Sequence, residues 1–192
     1  MELVRPKTTL DAGCGSGGWV SALLEHGVDV VGVDAAHLPL DTLRFDQSRL
    51  IVHDLRRPLD LGRRFDLVLN LEVAEHLRPR FADTLIATLV QHALVVLFSA
   101  AIPGQGGKNH VNEHWQSYWA AKFRKHGYHH IDCLRHRVWE NPTVACWYAQ
   151  NMLIYADEEH AENLRQHAVV FPLDVVHPRV CQATLADLGK AG

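Results

Sequence analysis

The stretch Thr9-Leu10-Asp11-Ala12-Gly13-Cys14-Gly15-Ser16-Gly17-Gly18-Trp19 predicts the fold of the chain. It begins as a short apolar strand, turns through closely spaced glycines and continues into a helix that starts near Gly18. A helix that opens directly after such a turn presents backbone N–H groups to a ligand held in the loop. We therefore expect a site for a nucleotide-like ligand at the first strand-to-helix turn.

Two ligand classes compete for this loop. The pattern Gly13-x-Gly15-x-x-Gly18 fits the dinucleotide fingerprint, whereas Asp11-x-Gly13-x-Gly15-x-Gly17 has the form found in S-adenosylmethionine enzymes. Asp11 favours the second class, because its charge would repel a pyrophosphate and attract the ammonium and sulfonium groups of S-adenosylmethionine. A turn that only connects strand to helix is the third interpretation.

Composition limits the number of domains and the kinds of partner. The chain has 192 residues, 47% of them hydrophobic, and a net charge of −3 with histidine neutral. This length suits one globular unit, for which we predict a domain over 1–167 and a tail over 168–192 that packs on the domain or on a second subunit, as in a homodimer. The acidic balance predicts no nucleic-acid partner. Four cysteines without C-x-x-C spacing and no membrane-span-length apolar run favour a soluble protein of the reducing cytoplasm.

Strands and helices alternate along the first hundred residues. We predict strands at 28–34, 50–54, 65–71 and 93–99 after the first one, with helices at 19–26, 38–45 and 80–92 between them. This rhythm predicts an α/β fold with a doubly wound, mostly parallel sheet of seven strands. The last two strands are predicted as a long antiparallel hairpin, 128–139 and 144–155, that turns at 140–143.

Carboxylates follow several of these strands. In a doubly wound sheet, ligands bind beyond the carboxyl ends of the strands, which is where Asp11, Asp34, Asp54 and Glu72 fall. Asp34 lies nineteen residues after Gly15 and could accept hydrogen bonds from ribose hydroxyls, although it could instead cap the next helix. Asp54 could accept from an exocyclic adenine amine.

Four ordered motifs resemble the class I S-adenosylmethionine-dependent methyltransferases. They are Leu10–Gly17, Gly32-Val33-Asp34, His53-Asp54-Leu55 and Phe65-Asp66-Leu67-Val68, and the resemblance covers about Thr8 to Tyr155. It implies that the glycine loop holds the methionine portion of S-adenosylmethionine, Asp34 the ribose and Asp54 the adenine. The cofactor-binding residues expected on this basis are Asp11, Gly13, Cys14, Gly15, Gly17, Asp34, Ala35, Asp54, Leu55 and Leu71.

The segment Leu71-Glu72-Val73-Ala74-Glu75-His76-Leu77 follows the fourth strand and should carry the chemistry. On a helical turn, Glu72, Glu75 and His76 would point to one side and could hold a divalent cation. The stretch resembles the Glu-x-x-Glu-His element of metal-assisted O-methyltransferases, among them the small-RNA ribose 2′-O-methyltransferases and the ubiquinone-pathway enzymes. The alternative is a metal-free site in which Glu75 and His76 orient the backbone or the substrate.

A glycine-rich loop, 101–115, ends in a polar cluster and is predicted to act as a lid. His110 is the first candidate for general base or further metal ligand, with His114 second, because imidazole titrates near neutral pH. His76 is also a predicted catalytic residue. Asn112 could instead be the N-cap of the next helix and Glu113 its first-turn acid. The proposed metal ligands are thus Glu72, Glu75, His76 and His110, with Mg²⁺ as the ion and Mn²⁺ as its substitute.

These observations predict an S-adenosylmethionine-dependent O-methyltransferase that acts on a hydroxyl of a small molecule. A loose resemblance of 110–115 and 118–119 to sugar and secondary-metabolite methyltransferases suggests an acceptor of that kind. The alternatives are a ribose 2′-O-methyltransferase acting on RNA, a nucleotide-dependent oxidoreductase and a binding module without catalytic activity.

Overall fold

The computed structural model describes residues 3–36 and 38–181 and has an α/β fold built on a seven-stranded sheet. The strand order is β3-β2-β1-β4-β5-β7-β6, with parallel pairing of β1 to β2 and β4 and antiparallel pairing of β6 to β7. The predicted fold class is therefore confirmed. Within the described residues, no helix is both long and apolar enough to cross a bilayer.

The strands are short and the helices lie between them along the chain. The strands are β1 (Thr8–Ala12), β2 (Asp29–Asp34), β3 (Leu50–Val52), β4 (Leu67–Leu71), β5 (Val95–Ser99), β6 (His129–Ile131) and β7 (Leu153–Ala156). The helices are α1 (Gly18–Glu25), α2 (Ala82–His92), α3 (Gln116–Arg124), α4 (Arg135–Val138), α5 (Cys146–Asn151) and α6 (Glu158–Arg165). Contacts divide the chain into an N-terminal unit, 1–70 with 80–97, and a C-terminal unit, 71–79 with 98–192.

The N-terminal unit is organised around β1. Leu10, Val30 and Val68 are fully buried there, as β-branched and leucine side chains on strands covered on both faces should be. Asp11 pairs with Gly32 on one side and Leu69 on the other, which places a carboxyl group in the middle of the sheet. The loop that follows β1 stays bound to β2, because the N–H groups of Gly13 and Cys14 both donate to the carbonyl of Val33.

The C-terminal unit has an aromatic core. The rings of Phe123 and Tyr155 stack with centroids 3.9 Å apart, and Phe98 lies 5.2 Å from Trp119 and 5.4 Å from Phe123. Trp119 and Phe123 are four residues apart on one face of α3, so they bury together as helical spacing requires.

The predicted long hairpin is wrong in its extent. Only three residues of 128–139 and three of 144–155 form strands, and the short helices α4 and α5 occupy much of the rest. The turn signal at 140–143 indicated two long strands, but Asp132 and Arg135 form a buried ion pair at the start of α4. The antiparallel pairing itself was predicted correctly.

Two further local predictions need correction. The segment 38–45 contains no α-helix, only a 3-10 turn at Leu40–Thr42 that is followed by another at Gln47–Arg49. Pro39 precedes the first turn, and none of the eight residues from 38 to 45 is buried, so a helix there would gain little stability from packing. The N-cap of α3 is Trp115, so neither Asn112 nor Glu113 belongs to that helix end.

The described part of the tail crosses the C-terminal unit. Arg135 donates to the carbonyls of Pro172 and Leu173, and Gln150 accepts from the backbone N–H of His177. Residues 182–192 of the predicted tail lie outside the described residues, and a contact with a second subunit stays a prediction.

Candidate active site

The glycine loop has the backbone geometry of the S-adenosylmethionine-type pattern. Gly13, Gly15 and Gly17 all have positive φ, at 89°, 52° and 82°, whereas Gly18 is the first residue of α1. A side chain is excluded at Gly17 for two reasons: its φ is positive, and a Cβ there would lie 2.1 Å from the ring of Phe45. The glycines that the backbone requires are thus those of Asp11-x-Gly13-x-Gly15-x-Gly17, and Gly18 is dispensable to the turn.

Asp34 fixes the loop from the end of β2. One carboxylate oxygen accepts the N–H of Gly15 at 2.7 Å and the other accepts the N–H of Ala35 at 2.7 Å. Each oxygen retains a lone pair for a further donor such as a ribose hydroxyl. Asp34 therefore joins the glycine loop to the end of β2, and it does not cap a following helix.

Asp11 is a buried carboxyl group with an unpaired atom. Its Oδ2 finds no hydrogen-bond partner among the described residues, and the side chain is almost fully buried. Burial, and then the charge of Asp34, raise the pKa of Asp11 to about 7. An orphaned carboxylate of this kind is stabilised by a cation, which the ammonium of S-adenosylmethionine would supply directly or through water.

The other predicted cofactor residues of this unit differ in availability. Asp54 is held by Arg56, which binds it through Nε at 2.8 Å and lowers its pKa to about 2. An adenine amine would therefore share Asp54 with this guanidinium. Cys14 and Leu55 are buried, and burial is the main cause that raises the pKa of the Cys14 thiol to about 12, so this thiol is inert.

The C-terminal unit contains a cavity of about 340 Å³. Its polar wall comes from the segment after β4 and from the glycine-rich loop, and its second wall comes from α5 and the tail. The lining residues are Glu72, Glu75, His76, Gln105, Gly106, Gly107, His110, Cys146, Trp147 and Val180. Three of the four predicted metal ligands, Glu75, His76 and His110, each offer one ligand atom within 4.8 Å of the others.

The imidazole of His110 is held at one nitrogen, because its Nδ1 lies 2.9 Å from Oε1 of Glu113. The two rings meet edge to face with centroids 4.9 Å apart. Burial, and then the neighbouring His110, lower the pKa of His76 more than the backbone of Asn109 raises it, so its neutral form is favoured. A histidine oriented by an acceptor, as His110 is by Glu113, is suited to be a proton acceptor or metal ligand at its other nitrogen.

Glu72 lines the cavity but is not a member of the group formed by Glu75, His76 and His110. Its N–H donates to the carbonyl and the hydroxyl of Ser99, which fixes Glu72 at a φ of 55°. The carboxylate then accepts from the side-chain amides of Gln105 at 3.1 Å and Asn151 at 3.3 Å. The segment that follows is a 3-10 turn, Ala74–His76, so the α-helical spacing assumed for Glu72, Glu75 and His76 does not exist.

Glu75 is buried and faces a negative neighbour. Burial, and then the charge of Glu72, raise the pKa of Glu75. Its Oε1 accepts from the N–H of Ala101 at 3.3 Å, and its Oε2 meets no donor within 3–36 and 38–181. A proton or a cation on that oxygen would remove the unfavourable burial of an unpaired acceptor.

A protein-family model described as a methyltransferase domain matches residues 2–141 of the chain. The chain belongs to this methyltransferase family. The ubiquinone biosynthesis O-methyltransferase of Cereibacter sphaeroides (strain ATCC 17025 / ATH 2.4.3) is 46% identical over 74 residues, which are 35% of this chain and 30% of that protein. The methyltransferase described here spans about a third of the length of the curated relatives it matches.

Solved structures share the fold of this methyltransferase. The magnesium protoporphyrin IX methyltransferase of Synechocystis PCC 6803 with bound S-adenosylmethionine has a TM-score of 0.59 at 20% identity, with 78% of this chain and 69% of that chain covered. An O-methyltransferase family protein from Burkholderia thailandensis has a TM-score of 0.57 at 14% identity, with 81% and 52% covered. At these identities the likeness concerns the fold.

Several residues of the methyltransferase's cavity were not predicted from the sequence. The amides of Gln105, Gln150 and Asn151 form a connected network around Glu72, and Trp147 and Val180 line the opposite wall. The adjacent polar pair Gln150-Asn151, directly before an apolar strand, was the available signal. His114 does not line the cavity in the described part of the chain: its ring stacks on Tyr118 at 3.8 Å.

Proposed function

We propose that this protein is an S-adenosylmethionine-dependent O-methyltransferase that acts on a hydroxyl group of a small molecule. The observation that carries the proposal is the loop after β1, in which three glycines have positive φ, Asp34 accepts the N–H of Gly15, and the orphaned carboxyl of Asp11 lies just before the loop. The N-terminus of α1 offers backbone N–H groups and Asp11 offers a carboxylate, which match the carboxylate and ammonium ends of the methionine portion. Leu71, the buried last residue of β4, stays a predicted cofactor residue.

The chemistry requires little covalent work from the protein. S-adenosylmethionine held by the glycine loop and Asp34 would supply an electrophilic methyl group to an acceptor oxygen. The protein would then have to remove the hydroxyl proton of the acceptor. We assign this proton to Nε2 of His110, since Glu113 holds the other ring nitrogen, with His76 as the second candidate because its neutral form is favoured. Orientation of the reactants supplies most of the rate.

A metal-assisted form of the same reaction is supported by Glu75, His76 and His110. One carboxylate and two imidazoles form a mixed oxygen and nitrogen set, and a bound cation would lower the pKa of an acceptor hydroxyl. Because Glu72 is engaged by amides, the set has one carboxylate fewer than the sequence predicted. Nitrogen ligands suit Mn²⁺ better than Mg²⁺, which prefers oxygen.

Calorimetry tests the cofactor first. The proposal expects S-adenosylhomocysteine to bind and NAD not to bind; tight NAD binding without a response to S-adenosylhomocysteine would overturn it. Methyl transfer from S-adenosylmethionine is then measured with phenols, sugars and RNA oligonucleotides as separate acceptors. Transfer to RNA alone would contradict the small-molecule acceptor and leave the methyltransferase assignment in place.

Chelation distinguishes the two forms of the reaction. If a cation assists, EDTA suppresses turnover while the affinity for S-adenosylhomocysteine stays unchanged, because the glycine loop, Asp34 and Asp54 bind no ion. Full activity in EDTA, together with a large loss in His110→Ala, would establish His110 as a metal-free base. Full activity in both would place the chemistry elsewhere.

A further inference from the structure

The side chain of Glu113 holds His110 in a fixed orientation. Oε1 of Glu113 lies 2.9 Å from Nδ1 of His110, and Oε2 accepts the backbone N–H of Gly104 at 2.9 Å. The two side chains are 22% and 13% exposed, so water competes little for the bond. Because both carboxylate oxygens are engaged, the Glu113 carboxylate cannot rotate away without losing a contact.

This contact selects one tautomer of His110. A carboxylate only accepts hydrogen bonds, so Nδ1 must carry the hydrogen, and Nε2 of the neutral ring is left with its lone pair. The ring is confined on its other side by Gly107, where a Cβ would lie 2.3 Å from both Cε1 and Nε2. Gly107 has a φ of 149°, which a residue with a side chain rarely adopts.

We propose that Glu113 is a positioning residue of the reaction: it fixes the tautomer and the direction of His110, so that Nε2 can take the acceptor's proton or bind a cation. The proposal rests on the proposed function for the role of His110, but the tautomer itself is a property of the protein alone. A purely structural Glu113 would only anchor the loop through Gly104. The two roles differ in what an amide at position 113 should do.

Glu113→Gln separates the two roles. The glutamine oxygen can still accept from Gly104, so the loop keeps its anchor, while the amide nitrogen faces Nδ1 and donates to it. The ring is then driven to carry its hydrogen on Nε2. We expect kcat to fall about 10- to 100-fold with an unchanged dissociation constant for S-adenosylhomocysteine, the size of loss common for partners that orient a functional histidine. Glu113→Asp should recover part of this loss.

Nitrogen-15 chemical shifts of the His110 ring provide the second measurement. When the ring is neutral, we expect its hydrogen on Nδ1 in the wild-type protein and on Nε2 in Glu113→Gln. Glu158→Gln is the matched control, because it removes a Glu–His pair of the same kind, His129 Nε2 to Glu158 Oε2 at 2.8 Å, whose members do not line the described cavity. It should alter neither kcat nor the His110 shifts.

The outcomes are separable. A wild-type ring protonated at Nε2, or an identical tautomer in Glu113→Gln, overturns the proposal even if methyl transfer is found. A changed tautomer with unchanged kcat also overturns it, because the orientation then has no effect on the reaction. If no methyl transfer occurs with any acceptor, the proposed function fails, while the shifts still decide whether Glu113 sets the tautomer.

Discussion

Asp11 combines two properties that a ligand can exploit. It lies within β1, between β2 and β4, where its Oδ2 has no partner in the described structure, and its pKa is raised to about 7 by burial and by Asp34. Between about pH 4 and pH 7 the folded protein therefore holds a proton that the unfolded chain has lost. Raising the pH through this window lowers the free energy of unfolding of the ligand-free protein, and a cationic ligand offsets this effect.

The pH dependence of cofactor binding follows from the same carboxyl group. We predict that the affinity for S-adenosylhomocysteine increases by up to about tenfold per pH unit below about pH 7, because the proposed contact of its ammonium with Asp11 requires the ionised carboxylate. Calorimetry from pH 5.5 to 7.5 measures this slope. Asp11→Asn should bind more weakly and lose the slope; a variant with the wild-type slope would mean that another group titrates.

At the scale of elements, Arg135 ties α4 to the tail. It is fully buried, forms an ion pair with Asp132 at 2.7 Å and donates to the carbonyls of Gln150, Pro172 and Leu173. Its guanidinium therefore joins four separate backbone or side-chain positions of the C-terminal unit. No other arginine of the described residues is fully buried.

Removing this guanidinium should be costly. We predict that Arg135→Ala lowers the free energy of unfolding by about 3–5 kcal/mol, because Asp132 would be left as an unpaired buried charge. Urea denaturation followed by fluorescence measures the loss. Arg165→Ala is the control, since Arg165 pairs with Glu158 and Glu162 on the surface, where ion pairs contribute little. Equal stability of the two variants would contradict the role given to Arg135.

The same elements explain how far the sequence could be interpreted. The parallel strands and the glycine loop were predictable, because buried strands and positive-φ glycines leave local signals such as Val28–Asp34 and Gly13, Gly15 and Gly17. The helices α4 and α5 have four and six residues, too few to show a helical period. Their conformation depends on contacts such as Asp132 to Arg135 that the local pattern does not show.

In the cavity, too, some features could be predicted from the sequence and others could not. The polar residues after the fourth strand drew attention to this part of the chain, and Glu75, His76 and His110 lie close together there, although the predicted helical spacing is absent. The sequence could not show that Ser99 holds Glu72 at a positive φ, or that Gln105 and Asn151 occupy its carboxylate, because these partners are between 27 and 79 residues away along the chain. Glu113 was likewise assigned to a helix end, since its distance from His110 depends on the loop conformation.

At the scale of the whole molecule, the two proposed ligand sites are built by different units. Asp11, Gly15 and Asp34 belong to the N-terminal unit, whereas Glu75, His76 and His110 belong to the C-terminal unit. Each unit supplies its own hydrogen bonds to these residues. Binding at one site should therefore be alterable without loss of the other.

A pair of variants tests this independence. Asp34→Ala should weaken the binding of S-adenosylhomocysteine by about 1–3 kcal/mol, because it removes the acceptor of the Gly15 N–H and the proposed acceptor of the ribose hydroxyls, and should leave Mn²⁺ binding within twofold. Glu75→Gln should weaken Mn²⁺ binding and leave the affinity for S-adenosylhomocysteine within twofold. Calorimetry and Mn²⁺ electron paramagnetic resonance provide the two affinities. Parallel loss of both in either variant would show that the sites are coupled.

The contacts of the tail indicate the order in which the two units can fold during synthesis. Arg135 donates to the backbone carbonyls of Pro172 and Leu173. The amide network around Glu72 is linked to the tail through Gln150, which accepts from the backbone N–H of His177. A nascent chain that has emerged only as far as α6 already contains every predicted catalytic side chain. The guanidinium of Arg135, however, still lacks the carbonyls of Pro172 and Leu173 as acceptors. We expect the N-terminal unit to become protease-resistant on the ribosome first, and the cavity to form only after residues 172–177 have left the exit tunnel.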